Sequence, residues 1–177
     1  MPVLRCAKAS DAEALVSLAR NTWLDMSLDD FGMSYTAHDV DSFHAEKNSL
    51  SVVGGRLRDP TVKTWVIDDD GRLVGYADAG PCDLRHPAVE PCDMELNRLY
   101  VLRSHQRKGW GRRLVEAALR WMGSTPASAH WVGVWSGNVK AQRLYGTYGF
   151  EKVGEYDFAV GGSIDRDFIM RRAATSR

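Results

Sequence analysis

The residues from Gln106 to Arg113 combine two glycines with a concentration of positive charge. The run from Gln106 to Gly111 is Gln-Arg-Lys-Gly-Trp-Gly, and no Asp or Glu occurs between Arg103 and Arg113. Glycines beside a helix start let the backbone approach a ligand closely, and the unpaired amides of that helix end attract an anion, most naturally a phosphate. The pattern therefore predicts a phosphate-binding turn, with a solvated basic corner between two elements as the alternative.

The flanking residues predict the two elements that must position this turn. Residues 93–102 are rich in strand formers, among them Leu99, Tyr100 and Val101. From Arg112 to Met122 apolar residues recur at helical spacing, which predicts an amphipathic helix. The turn matches neither a Gly-x-Gly-x-x-Gly loop nor a Gly-x-x-x-x-Gly-Lys-Ser/Thr phosphate loop.

A second group of regularly spaced residues follows the predicted strand at residues 130–135. Asn138, Ala141 and Tyr145 are spaced i, i+3 and i+7, so a helix would place them on one face. Taken singly, Asn138 could serve only as a helix N-cap and Tyr145 only as a half-buried aromatic residue.

Together, the two motifs resemble those of the GNAT superfamily of N-acetyltransferases. Gln106-x-x-Gly109-x-Gly111 is similar to the acyl-CoA pyrophosphate loop of that family, and residues 138–150 are similar to its N-x-x-A-x-x-x-Y-x-x-x-G-F pattern. The resemblance covers nearly the whole chain. Residues 95–101, 133–135 and 167–170 are similar to a branch of small bacterial acetyltransferases that includes polyamine acetylators.

The order of predicted elements and the resemblance imply an α/β (α+β) fold. We expect a mixed, mostly antiparallel sheet of six or seven strands, about four helices, and a central pair of strands that splay apart. Residues 1–177 are expected to form a single acetyltransferase domain. Locally, Asp69-Asp70-Gly71 predicts a hairpin turn, and Ser10 with Glu13 predicts a capping box at the first helix.

The resemblance implies acetyl-CoA as a co-substrate that enters between the splayed strands. Its pantetheine would pair with the backbone of the central strand, and its pyrophosphate would lie on the amides of the turn. The cofactor-binding residues implied in this way are Leu99, Tyr100, Val101, Gln106, Arg107, Lys108, Gly109, Trp110, Gly111, Arg112, Asn138 and Ala141. No metal is expected, because the spacing of Cys82, His86 and Cys92 fits no common zinc pattern.

Direct attack of an amine on the thioester requires two proton transfers and no acyl-enzyme. By its motif position, Tyr145 is the candidate acid for the leaving thiolate. Some family members carry a Glu five residues before the Asn, but this chain has Gly133 there. We therefore expect Glu95 to be the base, directly or through water, with Asp93 as a weaker candidate and an exposed strand carboxylate as the alternative role of Glu95. Strict alternation would put Glu95 on the strand face of Leu99.

Residues 24–46 carry six carboxylates and no Lys or Arg. They predict either a solvated acidic surface or an acidic wall facing a cationic acceptor. Asp29, Asp30 and Tyr35 are the candidate substrate-binding residues. The resulting hypothesis is an N-acetyltransferase for a primary amine of a small, polyamine-like acceptor. The alternatives are a protein Lys or N-terminal acetyltransferase and a non-catalytic acyl-CoA-binding regulatory module.

Composition restricts the partners. The 177 residues include 23 Lys+Arg and 23 Asp+Glu, and zero net charge argues against a general nucleic-acid or membrane-surface binder. Three cysteines and the absence of an apolar N-terminal segment indicate a cytoplasmic protein. We expect a small-molecule amine as partner, no nucleic acid and no membrane, and the sequence leaves a homodimer open.

Overall fold

A computed structural model describes residues 1–174, except for the side chains of residues 28–30. Its centre is one seven-stranded sheet in the order β1-β2-β3-β4-β5-β7-β6, with all neighbours antiparallel except β4 and β5. The predicted mixed, mostly antiparallel sheet is thereby confirmed. The strands are β1 (Val3–Cys6), β2 (Lys63–Asp69), β3 (Arg72–Pro81), β4 (Met94–Val101), β5 (Ala129–Trp135), β6 (Glu151–Val160) and β7 (Ser163–Ala173).

The described residues form five α-helices, where the sequence predicted about four. They are α1 (Ala12–Leu24), α2 (Ala37–Asn48), α3 (Leu50–Arg58), α4 (Trp110–Met122) and α5 (Val139–Gly146). The extra boundary lies at Ser49, whose extended backbone separates α2 from α3 and whose hydroxyl accepts a hydrogen bond from the Val52 amide at 3.4 Å. A π-helical turn, Asp25–Asp30, continues α1.

The predicted capping box of Ser10 and Glu13 is wrong. A short 3₁₀ turn precedes α1, and the Asp11 carboxylate accepts a hydrogen bond from the Lys8 amide at 2.7 Å. The Arg5 guanidinium of β1 also pairs with this carboxylate at 2.7 Å. This ion pair favours Asp11 over Glu13 as the acidic residue that accepts the backbone hydrogen bond before α1.

Helices cover both faces of the sheet. The apolar stripe of α4, including Leu114 and Met122, is fully buried against one face of β2, β3 and β4. Helix α1 packs its own stripe, including Leu15 and Leu18, on the opposite face around Tyr76. This layered packing fixes the turn before α4 at one end of the central strand. None of the helices in the described part of the chain is long and apolar enough to cross a membrane.

The predicted splay of the central strands is confirmed. β4 and β5 pair in parallel at only two positions, Met94 with His130 and Glu95 with Trp131. Beyond Glu95 the two strands diverge, so the edge of β4 that faces β5 lacks a strand partner in the described structure. A V-shaped opening between two strands results.

A β-bulge at Asn97 overturns the alternation expected for the central strand. The partners on β3 step from Ala79 opposite Leu96 to Asp78 opposite Arg98, which leaves Asn97 as the extra residue. One inserted residue exchanges the two faces of the strand beyond it. Glu95 therefore shares its face with Arg98 and Tyr100, and the expectation that it shares a face with Leu99 is wrong.

Candidate active site

A cavity of about 660 Å³ occupies the opening between the splayed strands. Its floor comes from β4 and β5, and α5 closes one end. The remaining walls come from α1, α2 and the connection between them, from the β3–β4 loop, and from the strands β6 and β7. The volume lies in the range of small-molecule sites.

The turn before α4 has the geometry of an anion site. Gly109 is the N-cap of α4 with φ +82°, and Arg107 also has a positive φ of 59°. In the described part of the chain, no protein acceptor is found for the amides of residues 107–112. A Cβ atom at Gly109 or Gly111 would meet nothing within 4 Å. Unpaired amides beside open space fit the pyrophosphate group that the sequence implied.

Three side chains of this turn already have structural roles. The Gln106 amide donates to the Val101 carbonyl at 3.1 Å, and its carbonyl accepts from Lys140 at 2.9 Å. Lys108 donates to the Ser104 carbonyl at 2.9 Å. The Trp110 ring is buried in the core, so only its amide faces the turn. Because these contacts hold the loop in shape, its amides are oriented before a ligand arrives.

The second motif brings its three residues to the cavity wall. The side-chain Oδ1 atom of Asn138 accepts a hydrogen bond from the Ala141 amide at 3.0 Å, so Asn138 is the N-cap of α5 as well as a lining residue. Tyr145 is 6% exposed and borders the cavity, with its ring centroid 6.0 Å from that of Phe150. Burial, with a smaller contribution from Tyr100, raises the pKa of Tyr145, so its phenol keeps the proton that it could donate.

Glu95 lies on the cavity floor where β4 and β5 begin to separate. It is 6% exposed and accepts a hydrogen bond from the Asp83 amide at 3.2 Å. Burial, and then the negative charge of Asp83, raise the pKa of Glu95 to about 8. A carboxyl group whose pKa lies near the pH of the surrounding solution can both take up and release a proton, which suits a general base. The alternative of an exposed strand carboxylate is wrong.

Asp93 is a structural residue. Its carboxylate accepts hydrogen bonds from the Trp131 indole at 2.7 Å, the Ala129 amide at 2.9 Å and the Glu90 amide at 3.1 Å. Burial alone would raise the pKa of Asp93, but these hydrogen bonds lower it overall. Since Asp93 is not among the lining residues of the cavity, it is a poor candidate for the base.

The acidic segment does not supply an acidic wall through its described side chains. Asp39 is buried and caps α2 by accepting from the Thr36 amide at 3.1 Å, and Asp41 pairs with Arg20 at 2.6 Å. The side chains of Asp29 and Asp30 lie outside the described residues, so their predicted role stays a prediction. Among its described residues, this segment lines the cavity with Met26, Ser27, Met33, Tyr35 and Phe43 and with no carboxylate. The Tyr35 hydroxyl donates to Asp165, and its ring stacks on Trp23 at 5.3 Å.

The acidic wall comes from elements that sequence reasoning missed. In the described part of the chain, five carboxylates and three basic side chains line the cavity, namely Asp83, Glu95, Asp157, Asp165 and Asp167 against Lys47, Arg85 and Arg98. Two of the basic groups are engaged, Arg98 with Asp78 at 3.6 Å and Lys47 with Glu46 at 2.7 Å. One of the carboxylates is also engaged, since Asp157 pairs with Arg166 at 3.1 Å. The alternating carboxylates of β7, Asp165 and Asp167, were a visible signal for one polar strand face.

The cysteine–histidine loop carries no metal cluster in the described structure. The His86 ring packs against Trp131 with centroids 5.3 Å apart, and its Nδ1 accepts from the Ala88 amide at 3.2 Å. Cys82 and Cys92 are free thiols. No group of three potential ligands able to hold a metal ion occurs among the residues that the structure describes.

Comparisons with known proteins agree with the fold. The model of the acetyltransferase (GNAT) family matches residues 20–150. An uncharacterized N-acetyltransferase from the pepI 3′ region of Lactobacillus delbrueckii subsp. lactis is 26% identical over 163 residues, which is 92% of each chain. An uncharacterized N-acetyltransferase of Mycobacterium bovis is 33% identical over 116 residues, covering 66% of this chain and 70% of the relative.

Solved structures show the same fold. The PaiA N-acetyltransferase of Thermoplasma acidophilum, crystallised with coenzyme A, superimposes with a TM-score of 0.74 at 20% identity, over 98% of this chain and 99% of its own. A probable acetyltransferase of Staphylococcus epidermidis also gives 0.74, at 13% identity, over 99% of this chain and 100% of its own.

The class that the splayed sheet and amide-lined turn define is that of acyl-CoA-dependent acyltransferases. The match over residues 20–150 shows the family, and this chain belongs to the GNAT acetyltransferases. It is therefore an N-acetyltransferase that uses acetyl-CoA as its acyl donor.

Proposed function

We propose that this enzyme transfers the acetyl group directly to a primary amine of a small cationic, polyamine-like acceptor. The observation that carries the proposal is the acidic lining of the cavity, in which carboxylates outnumber basic groups among the described residues. A cleft with negatively charged, low-dielectric walls raises the local concentration of cations.

A contact between the α1–α2 connection and β5 supports a small acceptor over a protein. The Phe31 ring, from the α1–α2 connection, contacts the Trp135 ring at the end of β5, with centroids 4.6 Å apart. The contact joins the α1–α2 connection to the end of a strand that lines the cavity. A Lys side chain or N-terminus of a folded protein would need an open groove at that place.

In the proposed mechanism, amides 107–112 bind the pyrophosphate and Glu95 removes the proton of the arriving ammonium. A Lys-like amine has a pKa of about 10.4, so the proton must be taken before attack. The approach of the ammonium favours the ionised form of Glu95, which prepares the base for its own substrate. Tyr145 donates to the thiolate as the thioester breaks. The acetyl group passes from sulfur to nitrogen in one ternary complex.

Two broader expectations are also proposals. We infer a single domain for residues 1–177, because one continuous sheet runs from Val3 to Ala173. We infer a cytoplasmic location, supported by the three free cysteines Cys6, Cys82 and Cys92.

The test is a turnover assay over a panel of acceptors that reads released coenzyme A thiol. Diamines and polyamines should be acetylated with higher kcat/KM than neutral-tailed monoamines of equal length, and salt should weaken this preference. Preference for Lys-containing or N-terminal peptides would replace the small acceptor with a protein. Coenzyme A binding without turnover on either class would support a regulatory module.

A further inference from the structure

Tyr156 occupies the space that a side chain at position 133 would need. A Cβ atom built on Gly133 would lie 2.6 Å from the Tyr156 hydroxyl oxygen and 3.4 Å from its Cζ atom. Glycine at 133 therefore admits the phenol, which reaches from β6 across β7 to β5. Both residues line the cavity, together with Glu95.

The proton of this hydroxyl is directed by Asp167. The Tyr156 hydroxyl donates to Asp167 Oδ2 at 3.3 Å, and the two residues are cross-strand partners on β6 and β7. Burial, together with the charges of Asp167 and Glu95, raises the pKa of Tyr156, so the phenol stays protonated. Because its only proton points to Asp167, its oxygen lone pairs remain available as acceptors.

We propose that the Tyr156 hydroxyl, oriented by Asp167, accepts a hydrogen bond from the reacting amine and holds it for attack on the acetyl group. Glu95 then removes a different proton of the same nitrogen. Tyr156 touches the substrate, whereas Asp167 is a positioning residue that acts through Tyr156. The inference requires only that the enzyme acetylates an amine, as the family does, and holds whether that amine is a small molecule or part of a protein.

The first test is Tyr156→Phe, assayed with whichever amine or peptide the parent enzyme acetylates. A hydrogen bond to a charged group contributes about 1.5–3 kcal/mol, so kcat/KM for the acceptor should fall about 10- to 100-fold. KM for acetyl-CoA should stay within about two-fold. Asp167→Asn should cause a smaller loss in the parent and almost none in the Tyr156→Phe background.

Gly133→Ala provides a second variant that leaves the phenol intact. Its methyl group would displace the hydroxyl, so it should reproduce the loss seen in Tyr156→Phe. In the double variant the methyl group meets the ring Cζ atom at 3.4 Å and Leu84 Cδ2 at 3.5 Å, which are ordinary van der Waals distances. The loss should therefore be no greater than in either single variant. Tyr148→Phe is the matched control, because it removes a phenol–carboxylate hydrogen bond of 2.9 Å to Glu116 outside the cavity.

Unchanged acceptor kcat/KM in Tyr156→Phe, with or without a lower Tm, would overturn the inference and leave Tyr156 as a packing residue. Additive losses in the Asp167→Asn and Tyr156→Phe pair would overturn the positioning role of Asp167. Failure of the proposed function has a different result, since the parent would then acetylate peptides in preference to small amines.

Discussion

The variant Glu95→Gln should become more stable than the parent, and this difference in stability should grow as the pH rises. The pKa of Glu95 is 4.5 in a free side chain and about 8 in the fold, because burial penalises the carboxylate. Between these values the folded state binds the proton more tightly than the unfolded state, so stability falls as the pH rises from about 4.5 to about 8. At 1.36 kcal/mol per pKa unit the full loss is up to about 5 kcal/mol.

Glutamine has nearly the same shape, still accepts the Asp83 amide hydrogen bond, and cannot ionise. Glu95→Gln and the parent should therefore be equally stable near pH 4.5. At pH 8 and above the variant should be more stable by up to about 5 kcal/mol, or about 10–20 °C in Tm for a chain of this size. Denaturant unfolding at a series of pH values measures this difference, and Glu151→Gln, at an exposed carboxylate of β6, is the control.

The same variant should lose activity while it gains stability. Loss of a general base typically lowers kcat by about 10²–10⁴-fold. A stability difference that does not grow with pH would refute the burial argument for the raised pKa. A kcat close to that of the parent, with chemistry rate-limiting, would refute Glu95 as the base.

Three further outcomes are expected. Tyr145→Phe should fold normally and bind acetyl-CoA with an affinity within a few-fold of the parent, but its kcat should fall about 10²–10⁴-fold. A kcat near that of the parent in rapid-quench assays would mean that water or the loop amides, and not Tyr145, stabilise the leaving thiolate. Gly111→Val should abolish the rise in Tm on adding acetyl-CoA, because the valine side chain would fill the open space of the turn. The control Gly146→Val, at an equally open glycine of α5, should keep the rise in Tm. Initial rates with both substrates varied should give intersecting lines, and parallel lines with an isolable acetyl-Cys would contradict direct attack.

The choice of Gly111 for that experiment depends on the backbone. Gly109 has φ +82°, so any side chain there is strained whether or not a ligand approaches. Gly111 lies in the first turn of α4 without a positive φ, so a failure to bind acetyl-CoA can be attributed to the added side chain.

The local motifs of the donor half could be predicted from the sequence. Gln106, Gly109 and Gly111 are close in the chain, and the apolar period after Arg112 fixes a helix whose N-terminus must follow them. Asn138, Ala141 and Tyr145 lie on one helix, so their common face follows from spacing alone. These arrangements involve neighbours within a few turns, where backbone geometry leaves few alternatives.

The acceptor half was decided by tertiary structure. The extra residue at Asn97 puts Arg98 and Tyr100 on the same strand face as Glu95. No spacing rule predicts which strand of a pair contains a bulge. Tyr156 reaches Gly133 only because β7 lies between β5 and β6 in the sheet. The raised pKa of Glu95 likewise depends on burial beneath segments distant in the chain. Sequence determined the chemistry of the loop and the two elements beside it, whereas the order of the strands determined which charges meet the amine.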